Sequence, residues 1–161
     1  MKVFGLTIDP FTNAPIVILK DEGEKQTLPV WIGVLEASAI ASELEKVQFS
    51  RPMTHDLLRD ILKTTGAVVK KIEIIDLKDN VFYATIYMEL ADGRISLIDA
   101  RPSDAIAIAL RAGASILVDS EVIEKSKSVD MAETGKKPRG SKDFLDSLED
   151  LSPGDFGKYK M

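Results

Sequence analysis

The stretch Asp99–Ala107, DARPSDAIA, joins an apolar strand pattern to an alanine-rich helical pattern. Proline favours the first position of a helix, and an aspartate in the first turn meets the positive end of the helix dipole. Ser103 is expected to accept hydrogen bonds from the free amide groups at this helix start. Arg101 has no such explanation, because the helix dipole repels a cation there. We therefore expect Arg101 to pair with a carboxylate or to bind an anion.

A second stretch, Arg51–Leu58 (RPMTHDLL), repeats the same order of residue types before another helical pattern. Thr54 takes the place of the serine, and Asp56 takes the place of the first-turn aspartate. Two interpretations of the arginines stay open. Either they bind phosphate together with the hydroxyl groups and the helix N-termini, or they form internal ion pairs, Arg101 with Asp56 or Arg51 with Asp104. Phosphate binding requires that the two helix starts lie side by side.

The rest of the pattern predicts an α+β fold with a mixed, largely antiparallel sheet and three to four packed helices, because strands and helices do not alternate regularly. Asp92-Gly93 predicts a hairpin turn, and Gly66 and Gly113 predict helix ends. Small residues on the first helix indicate tight packing, either inside the domain or against a second copy. The predicted strands cover 2–8, 15–20, 27–32, 68–77, 81–90, 95–99 and 115–118, and the predicted helices cover 37–47, 54–65, 102–112 and 120–126.

Composition changes near residue 126 and divides the chain into three parts. Residues 1–126 are expected to form one compact domain. Residues 127–143, rich in Lys, Gly, Ser and Pro, are expected to form a flexible linker. Residues 144–161 are expected to form a C-terminal amphipathic tail helix, in which Phe144, Leu145, Leu148 and Leu151 form the apolar face.

The 161 residues carry a formal net charge of −5, and 45% of them are hydrophobic. An acidic chain is unlike a general nucleic-acid coat protein, which needs a basic excess. Cysteine is absent, which excludes disulfides, zinc–thiolate sites and thiol nucleophiles. No apolar run is long enough to span a bilayer, and no leader pattern is present, so we expect a cytoplasmic protein without membrane contact.

His55 is the single histidine and stands beside Asp56. An imidazole there can act as a general base or a metal ligand, or can be an ordinary hydrogen-bonded residue. Acidic residues at predicted strand ends and helix starts are further candidates, because carboxylates attract Mg²⁺ or Mn²⁺. The predicted catalytic residues are His55, Asp56, Asp99 and Asp104, the predicted metal ligands are Glu36, Asp56 and Asp104, and the predicted phosphate-binding residues are Arg51, Thr54, Arg101 and Ser103.

Several blocks resemble, in order and spacing, the bifunctional nuclease domain family. They are Trp31-Ile32-Gly33, Glu36-Ala37, Arg51–Leu58, Phe82-Tyr83-Ala84 and Asp99–Ala107. The resemblance covers about residues 1–125, with methionine at position 53 where leucine is expected, and residues 151–156 are similar to the tail of bacterial members. It implies an α+β domain that forms a homo-oligomer, a dimer in the first instance, and the nuclease activity on RNA and DNA attributed to plant members.

Two functions follow from these residues. The first is metal-assisted hydrolysis of RNA or DNA, in which the carboxylates hold the metal, the arginines hold phosphate and His55 assists proton transfer. The second is a non-catalytic regulatory homo-oligomer that binds an anion or a metabolite between the two helix starts. The second function requires only that the two helix starts meet.

Overall fold

The computed structural model of the chain describes residues 1–133. Within this range the chain forms seven strands and four helices. In chain order they are β1 (Lys2–Ile8), β2 (Pro15–Lys20), β3 (Thr27–Trp31), α1 (Val34–Leu44), α2 (Thr54–Thr64), β4 (Val68–Lys78), β5 (Val81–Glu89), β6 (Ile95–Ala100), α3 (Pro102–Ala112), β7 (Ser115–Val118) and α4 (Ser120–Glu133).

The strands divide into two sheets. The first is antiparallel with the order β1-β2-β3, and the second has the order β6-β5-β4-β7. In the second sheet β4, β5 and β6 form an antiparallel meander, and β7 pairs with β4 in parallel. Gly93, at φ 82°, makes the turn before β6. The α+β class with largely antiparallel strands is therefore confirmed.

Helix α1 packs against α3 in the centre of the domain. The contact is made by small side chains, since Ala37 and Ala41 of α1 and Ala105 and Ala109 of α3 are all buried in one core. Small side chains let two helix backbones approach closely. Of the two predicted uses of the alanine face, the structure therefore shows packing inside the domain.

Helix α2 lies at the edge of this core, and none of its residues is buried. The helical spacing of Leu57, Leu58, Ile61 and Leu62 predicts a buried stripe on α2. The first three of these side chains are instead 41–53% exposed. Only Leu62 of the predicted stripe packs against the core, as a partly buried side chain. The prediction is wrong for the other three residues, because the periodicity shows an apolar face without showing what covers it.

Helix α4 continues to Glu133, past residue 126, where the predicted helix ends, and into the predicted linker at 127–143. The rest of the predicted linker and the predicted tail at 144–161 lie outside the described residues. Among residues 1–133, no helix is both long enough and apolar enough to cross a membrane. The cytoplasmic location stays a prediction.

Candidate functional site

The N-terminal ends of α1, α2 and α3 open onto one cleft of about 500 Å³. The predicted meeting of the α2 and α3 starts is therefore present, and the start of α1 joins them. Both polar and apolar side chains line the cleft: Glu36, Thr54, His55, Arg101, Asp104 and Arg111, with Leu35, Phe49 and Met53 among the apolar ones.

Each of the three helices carries a carboxylate in its first turn, Glu36, Asp56 and Asp104. The capping residues are Gly33, Met53 and Arg101, and none of them caps its helix through a side-chain hydrogen bond. Thr54 and Ser103 lie inside the first turn, so the prediction that a hydroxyl group caps these helices is wrong. The carboxylates instead face the positive helix ends.

Arg101 joins two of these carboxylates. Its Nε donates to Asp104 Oδ2 at 2.6 Å, and its Nη1 donates to Glu36 Oε1 at 2.8 Å. The hydrogen bond to Asp104 and, after it, the attraction of the Asp104 charge raise the pKa of Arg101. The Arg101 side chain is still 65% exposed, so the guanidinium is held in a fixed orientation and remains open to solvent.

Gly33 sets the position of Glu36. A Cβ atom at residue 33 would overlap Glu36 Oε2, so the glutamate folds back over the start of α1. Any larger side chain at residue 33 would push this carboxylate away. The Trp31-Ile32-Gly33 block and Arg101 are therefore connected through Glu36.

His55 lies beside the same aspartate, with its Nε2 3.3 Å from Asp104 Oδ1. Burial alone would raise the pKa of Asp104, but hydrogen bonds from Arg101 and His55 outweigh it, and the net shift is downward. Asp104 is therefore a carboxylate at neutral pH and can accept a hydrogen bond from Nε2 of His55. When Nε2 carries the hydrogen, the lone pair of the ring lies on Nδ1, which forms no hydrogen bond with residues 1–133.

Arg111 is the residue that sequence reasoning missed. Its side chain is 2% exposed, and its Nε donates to Asp56 Oδ1 at 2.7 Å. Nη1 donates to Ala107 O at 3.1 Å, and Nη2 donates to Ser42 Oγ at 3.4 Å. Burial would raise the pKa of Asp56, yet the hydrogen bond from Arg111 contributes to a net lowering. A basic residue in the last turn of α3 is its one sequence signal, which the helix dipole explains without any partner.

Both predicted internal ion pairs are wrong. Arg101 pairs with Asp104 and Glu36 instead of Asp56, and Asp56 pairs with Arg111. Arg51 is exposed and forms neither a hydrogen bond nor an ion pair with any described residue. It therefore does not join the group around Asp104.

Two other predicted site residues lie apart from the His55–Asp104 contact. Asp99 is exposed on β6, where it pairs with Thr85 of β5, and no hydrogen bond in the described part of the chain joins it to the cleft. Ser103 is buried and lines a smaller cavity of about 260 Å³ on the other side of Arg101. Thr54 lines the main cleft.

The three predicted metal ligands do not form a metal-binding group. Each carboxylate is already bonded to a guanidinium, Glu36 and Asp104 to Arg101 and Asp56 to Arg111. Within residues 1–133 there is no cluster of three or more His, Cys, Asp or Glu side chains that could hold an ion. Carboxylates that are each paired with an arginine in this way do not fit Mg²⁺ or Mn²⁺.

The sequence matches a family model described as the bifunctional nuclease domain over residues 17–130. An uncharacterized protein of Mycobacterium tuberculosis is 35% identical over 162 residues, covering 97% of this chain and 96% of the relative. Bifunctional nuclease 2 of Arabidopsis thaliana is 23% identical over 77% of this chain, and bifunctional nuclease 1 of Oryza sativa subsp. indica is 23% identical over 71%. The matches span 38% and 35% of these two plant proteins.

Proposed function

Because the chain belongs to the bifunctional nuclease domain family, we propose that it binds and cleaves the phosphodiester backbone of nucleic acid in the cleft between α1, α2 and α3. The observation that carries this proposal is the continuous contact from Arg101 through Asp104 to His55 at the cleft. Arg101, a cation that can bind phosphate, and His55, a group that can transfer a proton, both contact the carboxylate of Asp104. The names of the plant relatives support the same reaction class.

Arg101 holds the phosphate. Two of its N–H groups bond Asp104 and Glu36, which fixes the plane of the guanidinium, and the exposed remainder of the fork faces solvent. The N-termini of three helices lie near it and add positive partial charge, part of which is compensated by the first-turn carboxylates.

His55 moves the proton. Asp104 holds the imidazole by Nε2 and stabilises the positive charge that forms when Nδ1 accepts a proton. This arrangement of a carboxylate, an imidazole and an open ring nitrogen is typical of general base catalysis. Asp56 and Arg111 hold the first turn of α2, so they position His55 without reaching the substrate themselves.

The experiment compares the purified wild type with His55→Ala and Asp104→Asn on RNA and DNA oligonucleotides. On each substrate that the wild type cleaves, we expect each variant to lose at least about 100-fold in cleavage rate, the usual size of a general acid–base contribution. Asp60→Asn is the matched control, because Asp60 is on the same helix and pairs with Arg59 outside the cleft. Cleavage that survives both cleft variants would come from a contaminant and would contradict the proposal.

A second candidate function is anion binding without catalysis. It is favoured by the pairing of Glu36, Asp56 and Asp104 with arginines, because Glu36 and Asp104 fix the orientation of the Arg101 guanidinium. Among the described residues these carboxylates form no metal-binding group. If the wild type is inert, a thermal shift with inorganic polyphosphate that is lost in Arg101→Met would support this function.

We also propose that the chain forms a homodimer through α2. The support is the apolar face formed by Leu57, Leu58 and Ile61, which is about half exposed on an otherwise polar helix. Exposed apolar patches of this kind are typical of protein–protein contacts.

A further inference from the structure

We infer that the cleft cleaves RNA without a divalent metal, using the RNA 2′-hydroxyl as the nucleophile, and that DNA is bound there without being cleaved. The inference rests on the proposed nuclease function and names its substrate and its nucleophile. It differs from two expectations drawn from the sequence: that the carboxylates attract Mg²⁺ or Mn²⁺, and that the family resemblance implies activity on both RNA and DNA. The pairing of every acid in the cleft carries it.

Five of the six carboxylate oxygens already have a partner. Asp104 Oδ1 contacts His55 Nε2, and Asp104 Oδ2 accepts a hydrogen bond from Arg101. Asp56 Oδ1 accepts from Arg111, and Asp56 Oδ2 accepts from the backbone N–H of Met53. Glu36 Oε1 accepts from Arg101, and Glu36 Oε2 lies over Gly33. A divalent cation would have to break charge-assisted hydrogen bonds to both arginines before it gained oxygen ligands.

The charges of the cleft lead to the same conclusion. Three carboxylates pair with two guanidinium groups, and Asp104 also contacts the imidazole of His55, so each acid already has a cationic partner that belongs to the chain. In many phosphoryl-transfer sites a metal stabilises the phosphate charge, and here the exposed guanidinium of Arg101 can take that role.

The nucleophile then decides the substrate. The pKa of water lies far above neutral pH, and a metal is the usual means of lowering it. An imidazole alone is a weak base for this task. The 2′-hydroxyl of RNA is held next to the phosphorus by its own covalent chain, which gives it a high effective concentration. DNA has no 2′-hydroxyl, so the same base has no adjacent group to activate.

The step balances with the groups in the cleft and solvent. Nδ1 of His55 accepts the proton of the 2′-hydroxyl, O2′ forms a bond to phosphorus, and the bond from phosphorus to O5′ breaks. O5′ takes a proton from water, and the imidazolium returns its proton to the solvent. The products are a 2′,3′-cyclic phosphate and a 5′-hydroxyl end. Asp104 keeps Nε2 protonated throughout, and Arg101 holds the non-bridging oxygens.

The test uses the full chain after exhaustive treatment with EDTA. The substrates are an RNA oligonucleotide, the matching DNA, and the same DNA with one ribonucleotide, and the product ends are identified by mass spectrometry. We expect RNA cleavage to stay within about twofold of the untreated rate and to give cyclic phosphate ends. The chimera should be cut only after its ribonucleotide, and the DNA should bind and stay intact.

Two variants prepared in parallel exclude a contaminating ribonuclease. His55→Ala should lose the cyclic product and regain part of it when free imidazole is added, whereas Asp60→Asn should behave as the wild type. Cleavage that requires added Mg²⁺ or Mn²⁺, or that proceeds equally on DNA, overturns the inference and leaves the nuclease function standing. No cleavage under either condition overturns both.

Discussion

Two arginines at opposite ends of α3, Arg101 just before its first residue and Arg111 in its last turn, organise the cleft at the scale of single residues. Arg101 is mostly exposed and bonds the acids of α1 and α3, whereas Arg111 is buried and bonds the acid of α2. The same residue type thus has two different functions in the cleft. An exposed guanidinium can still meet an anion, and a buried one satisfies a carboxylate that would otherwise be costly to bury.

Arg111→Met should destabilise the protein by about 3 kcal/mol, because it leaves Asp56 with a charge that is mostly removed from water. The free energy of unfolding in urea measures this loss. The double variant Arg111→Met with Asp56→Asn should lose less than the sum of the two single variants, since the orphaned charge is gone. Strictly additive losses would show that the two side chains do not interact.

At the scale of elements, α3 positions α2 by two polar contacts. Asp104 and Arg111 are seven residues apart, so they lie on one face of α3 about two turns from each other. They hold the neighbouring residues His55 and Asp56 in the first turn of α2. Because α2 has no buried residue, these contacts supply much of what fixes its start.

The apolar face of α2 should bury itself against a second copy. Light scattering of the wild type should give about twice the chain mass of 17.7 kDa. Leu57→Glu combined with Ile61→Glu should give the single-chain mass, because two charges would have to be buried in the contact.

Leu97→Glu is the matched control for this prediction, since Leu97 is 61% exposed on β6 and not on α2. The control should keep the dimer mass. A wild type that is a monomer, or an α2 variant that stays dimeric, would contradict the assignment of the contact to α2.

The elements themselves follow closely from local pattern. Gly66 and Gly113 have φ values of 73° and 66°, as expected where helices end in a left-handed residue. Pro102 occupies the first helical position of α3, as its fixed φ favours. The predicted covering of Leu57 and Ile61 is wrong, because amphipathicity is a property of one helix and burial depends on its neighbours.

At the scale of the whole molecule, the ion pairs of the cleft couple stability to pH. The pKa values of Asp56 and Asp104 are lowered from 3.8 in the folded chain, where hydrogen bonds from arginine outweigh the opposing effect of burial. The unfolded chain therefore binds more protons in acid. This contribution to stability is present above about pH 4 and is lost as the pH falls through the lower folded values.

The urea concentration at the unfolding midpoint should therefore decrease as the pH is lowered from about 6 to about 3. The variant carrying Asp56→Asn and Asp104→Asn should be less stable at the higher pH and should show a smaller fall. Its fall should not vanish, because other carboxylates with lowered pKa values remain, among them Asp9, Glu73 and Asp92. If the urea midpoint of this variant decreases as much as that of the wild type, the pH dependence does not come from the ion pairs of the cleft.

Local chemistry in the chain was enough to place the strands, the helices and the helix starts, and to single out Arg101 and His55. Each of these depends on residues within one or two turns of each other, through periodicity, φ preferences and the helix dipole.

The partners of the charged groups depended on the packing of α1, α2 and α3. An arginine side chain is long and flexible, so several carboxylates lie within its reach, and the geometry of the packed helices selects among them. In the packed structure Arg101 pairs with Glu36 and Asp104, and the buried Arg111 pairs with Asp56. Arg51 and Asp99 are exposed and do not join these ion pairs. A local sequence pattern cannot predict contacts between residues that are 49 to 69 positions apart, because these contacts form only when the helices pack together in the folded core.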